Sequence, residues 1–287
     1  LYLNSPNTGS VLLNLGNYMY TLAGSIIDNY DAAQPTRSCN LVSTGTVNLS
    51  APSANQYIYE RTIVSYQFNN LLFANTAPVT TITKGIFGSI GITGNFELDN
   101  SSTNDLLFMV FDIDDHILTG GNLFRVGNNV ELRTSGASSF KTSIESFTSV
   151  ELEANSSVRF DGADQAIPGN ISYGNLYFWG NGVKTLEGNI HIEGDIDDMG
   201  YTPVFTVPAG GIAINIAGDW LLETNYVNMS SEGSITFDGD NQMINTTVLP
   251  NVSMQGSGIK ILNGNLTIQG DLTLSNGIEF DADNRYI

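Results

Sequence analysis

"GNLTIQGDLTLSNGIEF" (264–280) reads as strand, corner, strand, corner. Its apolar residues come in pairs: Leu266 with Ile268, Leu272 with Leu274, Ile278 with Phe280. Each pair begins six residues after the last, and Gly270-Asp271 and Asn276-Gly277 fill the gaps. One residue between the members of a pair puts both on the same face of a strand. The gaps leave no room for a helix. They also recur too often for a sandwich, whose turn signals come every 8–12 residues or so. The pattern predicts a solenoid in which each short strand ends at a corner and three strands complete a coil. The next coil then stacks about 4.8 Å above it in parallel. Gly, Asn and Asp tolerate the bent backbone that corners need. The expected fold is all-β: a right-handed parallel β-helix with irregular loop excursions. At roughly 20–24 residues per coil it would form a rod of on the order of a dozen coils. The hexad spacing at 264–280 fits a left-handed β-helix too; the irregular spacing elsewhere and the long loops favour the right-handed form.

Internal repeats support this reading. "SVRFDGADQAI" (157–167) matches "SITFDGDNQMI" (234–244), and "NLYFWGNGVKTLEGNIHIEGDI" (175–196) matches "NVSMQGSGIKILNGNLTIQGDL" (251–272). A worn copy lies upstream, where "GTVNLSAPSANQYI" (45–58), "NLLFAN" (70–75) and "GSIGITGNF" (88–96) carry the same frame. The expected organisation is therefore leading coils and a long loop over 1–44, a worn block over 45–156, a second block over 157–233, and a third over 234–287, incomplete at its C-terminal end. A solenoid coil is buried only by its neighbours. The inward face of the last coil, with Ile278 and Phe280, has none above it in this sequence, so the array is expected to continue past Ile287. Residues 29–40 and 197–211 read as loops, and no helix is expected.

Composition narrows the function. The 287 residues carry 29 acidic and 10 basic side chains, a net charge of −19. That balance argues against nucleic acid, which needs clustered Lys or Arg, and against anionic lipid. Cys39 is the only cysteine, so no intrachain disulfide forms. No apolar run approaches the roughly 18 residues of a membrane-spanning helix.

The blocks "FDGxxQxI", "GNGVKTLEGNIHIEGDI" and "GSGIKILNGNLTIQGDL", with Gly218-Asp219-Trp220, resemble repeats of the very large secreted surface proteins of the Bacteroidetes phylum. That group includes adhesins of gliding bacteria and other cargo of the type IX secretion system. The resemblance covers about residues 45–287. It implies secretion, a cell-surface location and a role in adhesion or motility. The implied partners are an extracellular surface or glycan, further repeats of the parent chain, or the secretion and motility machinery. The C-terminal sorting domain of such cargo is not among these residues.

Acidic clusters are the main candidates for chemistry. Asp112, Asp114 and Asp115 form one, and Asp195, Asp197 and Asp198 another. Hard oxygen ligands at such spacing suit calcium, and paired carboxylates can act on a polysaccharide. The simpler reading is that Asp turns corners by bonding the backbone. No other cofactor is expected. His116 and His191 stand at non-equivalent places and read as surface strand residues. Lys184 and Lys260 match between blocks; the preferred reading is an outward Lys paired with a carboxylate one coil away. Gln56, Gln165 and Gln242 also match, and their amides are expected to bond corner backbone or stack coil on coil. Tyr173, Tyr177, Trp179 and Trp220 could form a sugar-stacking strip, with core or loop packing preferred. Taken together, these features predict a non-catalytic structural and adhesive segment of a large secreted surface protein, displaying binding loops. The alternative is a polysaccharide-acting β-helix enzyme.

Overall fold

The structure is a computed structural model. It describes residues 2–3, 9–28, 37–51, 54–59, 66–75, 81–101, 108–223, 226–245 and 247–281. These form a β-solenoid of stacked parallel strands. The chain divides into two compact units, Leu1–Ser156 and Ser157–Ile287. The division falls where the second repeat block begins.

In the first unit one sheet stacks Ile26–Asp28, Gln56–Tyr59, Ile82–Phe87, Met109–Asp112 and Val130–Thr134 in that order. A second sheet carries Arg37–Leu49, Tyr66–Asn75, Asn95–Asn100, Leu123–Val126 and Ser149–Leu152. Stacked partners are far apart in sequence: 28 residues separate Gln56 from Lys84, and 24 separate Val47 from Leu71. The second unit has tighter coils, with 17 residues between Ile235 and Val252 and 19 between Gln165 and Lys184. One of its sheets stacks Ile171–Tyr173, Ile190–Ile192, Ala213–Ile216, Ser234–Phe237, Asn251–Met254 and Leu272–Leu274. The strands shorten too, from 13 and 10 residues in Arg37–Leu49 and Tyr66–Asn75 to 4 in Ser234–Phe237 and Asn251–Met254.

The period-two alternation holds. In Asn251–Met254, Val252 and Met254 are buried while Asn251 and Ser253 are half-exposed. Aromatic rings fill the interior of each unit. Phe96 and Phe124 are register partners with ring centroids 5.2 Å apart. Phe178, Phe205, Trp220 and Phe237 follow one another through the second core at 5.4, 6.3 and 6.4 Å. Leu266 is buried. Leu272 and Leu274 stand over the buried Val252 and Met254, yet they are 38% and 50% exposed. No described strand lies over them.

Three expectations need correction. A helix does form, Ser139–Glu145, with Phe140 and Ile144 buried four residues apart on one face. It lies beside the short strand Leu118–Thr119: Ser143 Oγ accepts from Leu118 N (3.0 Å) and Ser146 Oγ from Gly120 N (2.8 Å). Its serines thus supply acceptors that a further strand would otherwise provide. Within 197–211, Pro203–Val207 is a strand with alternating burial, starting at Pro203, the strand position where a missing N–H is tolerated. In the 29–40 loop, residues 37–40 open the strand Arg37–Leu49, while 29–36 lie outside the described residues.

Candidate functional site

Three lysines turn inward. Lys84, Lys184 and Lys260 are each 0% exposed. This overturns the outward, carboxylate-paired arrangement expected for Lys184 and Lys260. Each lysine is the register partner of a glutamine one coil before: Gln56 with Lys84, Gln165 with Lys184, Gln242 with Lys260. Lys84 Nζ donates to Leu49 O (2.7 Å), Ala74 O (2.7 Å) and Gln56 Oε1 (2.5 Å). Lys184 Nζ donates to Gly162 O (2.5 Å), Ala163 O (2.9 Å) and Gln165 Oε1 (2.7 Å). Lys260 Nζ donates to Gly239 O, Asp240 O and Gln242 Oε1 at 2.5, 3.0 and 2.7 Å.

The glutamines complete the corner. Gln56 Oε1 also accepts from Ala51 N, and its Nε2 donates to Leu22 O and Gly24 O in the coil before. Gln242 repeats this with Gly239 N, Ile216 O and Gly218 O. The expected role for the glutamines, bonding corner backbone from coil to coil, is what the structure has. An ammonium offers three donors, and each meets three close oxygens. Burial works the other way and disfavours the charge. It pulls Lys84 down to about 7. It pulls Lys184 down to about 8, against the opposing charges of Asp161 and Asp164. It also lowers Lys260, which Asp240 and Asp238 counter. These corners are sealed, so they bind the chain to itself.

Lys84 escaped the sequence reading although a signal existed. "GSIGITGNF" (88–96) matches 188–196 one hundred residues on, and the same offset carries Lys84 onto Lys184.

The Asp195 cluster is taken up by corners. Asn175 Oδ1 accepts from Asp195 N (2.9 Å), Asp195 Oδ1 from Asp219 N (2.8 Å), and Asp219 Oδ1 from Met243 N (2.7 Å). The glycine before Asp195 is required there, because a Cβ on Gly194 would lie 2.1 Å from Asn175 Oδ1. Asp197 caps Met199 N at 2.8 Å, and Asp198, 4% exposed, caps Gly200 N at 3.0 Å. Burial raises the Asp197 carboxyl, with Met199 N–H opposing and the charges of Asp198 and Asp195 adding.

The Asp112 cluster is more open. Asp112 Oδ1 accepts from Asp114 N (2.8 Å), which holds the turn, and Asp114 takes a left-handed φ of 50°. Asp114 and Asp115 are exposed and come together with His116, ligand atoms of all three lying within 4.8 Å. Among the described residues this is the one such group of three. Two carboxylates and an imidazole fall short of the six to eight oxygens that calcium takes. His116 sits in the turn rather than on a strand; His191 is on Ile190–Ile192, half-exposed, 3.1 Å from Glu193.

The aromatics divide. Tyr173 and Trp220 are wholly buried. Trp179 carries the Arg159 guanidinium 4.3 Å over its ring and packs against Tyr201 at 4.9 Å. Tyr177 is half-buried. A surface group that sequence reading passed over is Tyr57, Tyr59 and Phe87. Tyr59 and Phe87 are register partners, stacked at 4.7 Å and 8°, and Tyr57 completes a triangle with them at 5.7 and 5.4 Å.

No protein-family model, curated protein or solved structure matches the chain. No helix among the described residues is long and apolar enough to cross a membrane.

Proposed function

We propose that the chain is a structural and adhesive segment of a large secreted cell-surface protein, with a place in surface attachment or gliding. Its work is extension and display; binding falls to exposed outer-face and loop groups. The observation that carries this reading is how the polar groups are used. Lys184, Lys260 and Gln242 donate to corner carbonyls one coil away, and Asn175, Asn251 and Asp195 accept from backbone N–H groups one coil on. Such groups build stacking and leave no free nucleophile–base pair among them. The partners in this reading are an extracellular surface or glycan, further repeats of the same parent, and the machinery that exports or moves it.

Beads coated with the purified chain test the reading. They should be retained on glycan-coated surfaces in flow, while the soluble chain releases no reducing ends from the same polysaccharides. Loss of retention would remove adhesion from the account. Depolymerisation of an acidic glycan, abolished by Asp195→Asn or Asp197→Asn, would make the chain an enzyme instead.

A further inference from the structure

We infer that the Tyr57–Tyr59–Phe87 triangle is a stacking site for a neutral pyranose of a glycan. This deepens the adhesive reading and rests on it. The strand register puts Tyr57 beside Gly85, and Gly85 beside Asp112 in the following coil. Tyr59 and Phe87 form the neighbouring column, and Tyr57 packs against both rings at 5.7 and 5.4 Å. Phe87 ends the ring stack and is 40% exposed. No further described ring lies beyond it. The register that pairs Gly85 with Asp112 brings Phe87 to the level of the turn that follows Asp112, where Asp114 and Asp115 are exposed.

An aromatic face with carboxylates beside it matches a sugar ring. The ring face is electron-rich and attracts the apolar, weakly positive C–H face of a pyranose. The carboxylates accept from its hydroxyls. The same carboxylates repel a uronic acid, and the net charge of −19 adds to that. Three rings are far too small for a stable protein interface, which needs about 800 Å² per partner. Trp179, the better stacking residue by type, is already engaged by Arg159 and Tyr201.

The test is a printed array of neutral and uronic oligosaccharides, probed with the full chain and three variants. The wild type should hold neutral pyranose oligosaccharides. Phe87→Ala should weaken that binding at least tenfold with the melting temperature kept. Phe87→Trp should retain it, and Trp179→Ala should leave it unchanged. Binding confined to uronic glycans, equal binding by Phe87→Ala, or a protein partner held through these rings would overturn the inference. A chain that holds nothing on the array sinks the adhesive reading as well. One that holds glycan equally after Phe87→Ala keeps adhesion and loses only this site.

Discussion

The Lys84 corner of the first unit and the Lys184 corner of the second are built alike and charged differently. Both place a buried ammonium over a glutamine amide and two backbone carbonyls. The carbonyls for Lys184 come from one tight loop at 162–163, and the acidic residues flanking that loop, Asp161 and Asp164, lie close enough to pull its proton affinity back up. Those for Lys84 come from Leu49 and Ala74, and no carboxylate offsets its burial. The cause is in the repeats: "FDGADQ" supplies two carboxylates where the first copy has "SAPSANQ". The corner therefore depends on its hydrogen bonds, and the acidic flank is an addition that tunes how firmly the proton is held.

Replacing the lysines should have the largest effect. Lys84→Met and Lys184→Met keep much of the side-chain volume, take the ammonium from two corner carbonyls, and leave the glutamine Oε1 with one donor instead of two. Each should lose about 3 kcal/mol in urea unfolding. Lys184→Met should lose somewhat more, because it also removes a cation from beside two carboxylates. Equal or reversed losses would show that Asp161 and Asp164 do not stabilise the Lys184 charge.

A second kind of corner is indifferent to charge. Asn70 Oδ1 accepts from Asn95 N at 2.9 Å as Asn175 Oδ1 does from Asp195 N, and a Cβ on Gly94 would lie 2.4 Å from Asn70 Oδ1. Gly94→Ala and Gly194→Ala should each cost about 2 kcal/mol, alike in both units. Thermal or urea melts of the two variants would show this.

The pH dependence separates the lysine corners next. Lys84 is about 7 in the folded chain and near 10.4 when unfolded. Between those values the unfolded chain binds the extra proton, so stability rises with pH from about 7 towards 10 and is lowest below 7. The Lys184 contribution begins nearer 8. In Lys84→Met the rise that starts at 7 should disappear while the later one remains. A wild-type slope of zero over this range would contradict the burial of both amines.

The smallest effect belongs to the corner carboxylate. Asp195→Asn keeps the oxygen that accepts from Asp219 N and should change stability by less than about 0.5 kcal/mol. Asp195→Ala removes it and should cost about 1 kcal/mol.

Much of the architecture was legible because strand alternation and corner glycines are local. Leu266, Val252 and Met254 declare their faces within a few residues. The turning of Lys184 and Lys260 to the interior was not legible. A lysine reads as solvent-facing until one knows that a glutamine amide and two carbonyls converge beneath it, and they converge only when coils 18 to 28 residues apart are stacked. In the same strand as Lys260 the apolar Ile261 is 41% exposed, so hydropathy alone assigns that strand the wrong face. The helix Ser139–Glu145 was hidden for a related reason: its short apolar face gains from the neighbouring Leu118–Thr119 strand, which local sequence does not reveal. Of the acidic residues singled out, Asp195, Asp197, Asp198 and Asp112 accept from backbone N–H groups at corners, while Asp114 and Asp115 are exposed. The aromatic triangle escaped notice because Tyr59 and Phe87 meet only through the register.

Titration of the lysine side-chain nitrogens by NMR, in chain labelled with 15N-lysine and assigned through Lys84→Met, distinguishes a buried amine from a solvated one. Lys84 should titrate near 7, with Lys184 near 8 and both below the ordinary lysine range. A Lys84 resonance that titrates near 10.4, as a solvated lysine does, would contradict the inward turn of this side chain onto Gln56, Leu49 and Ala74.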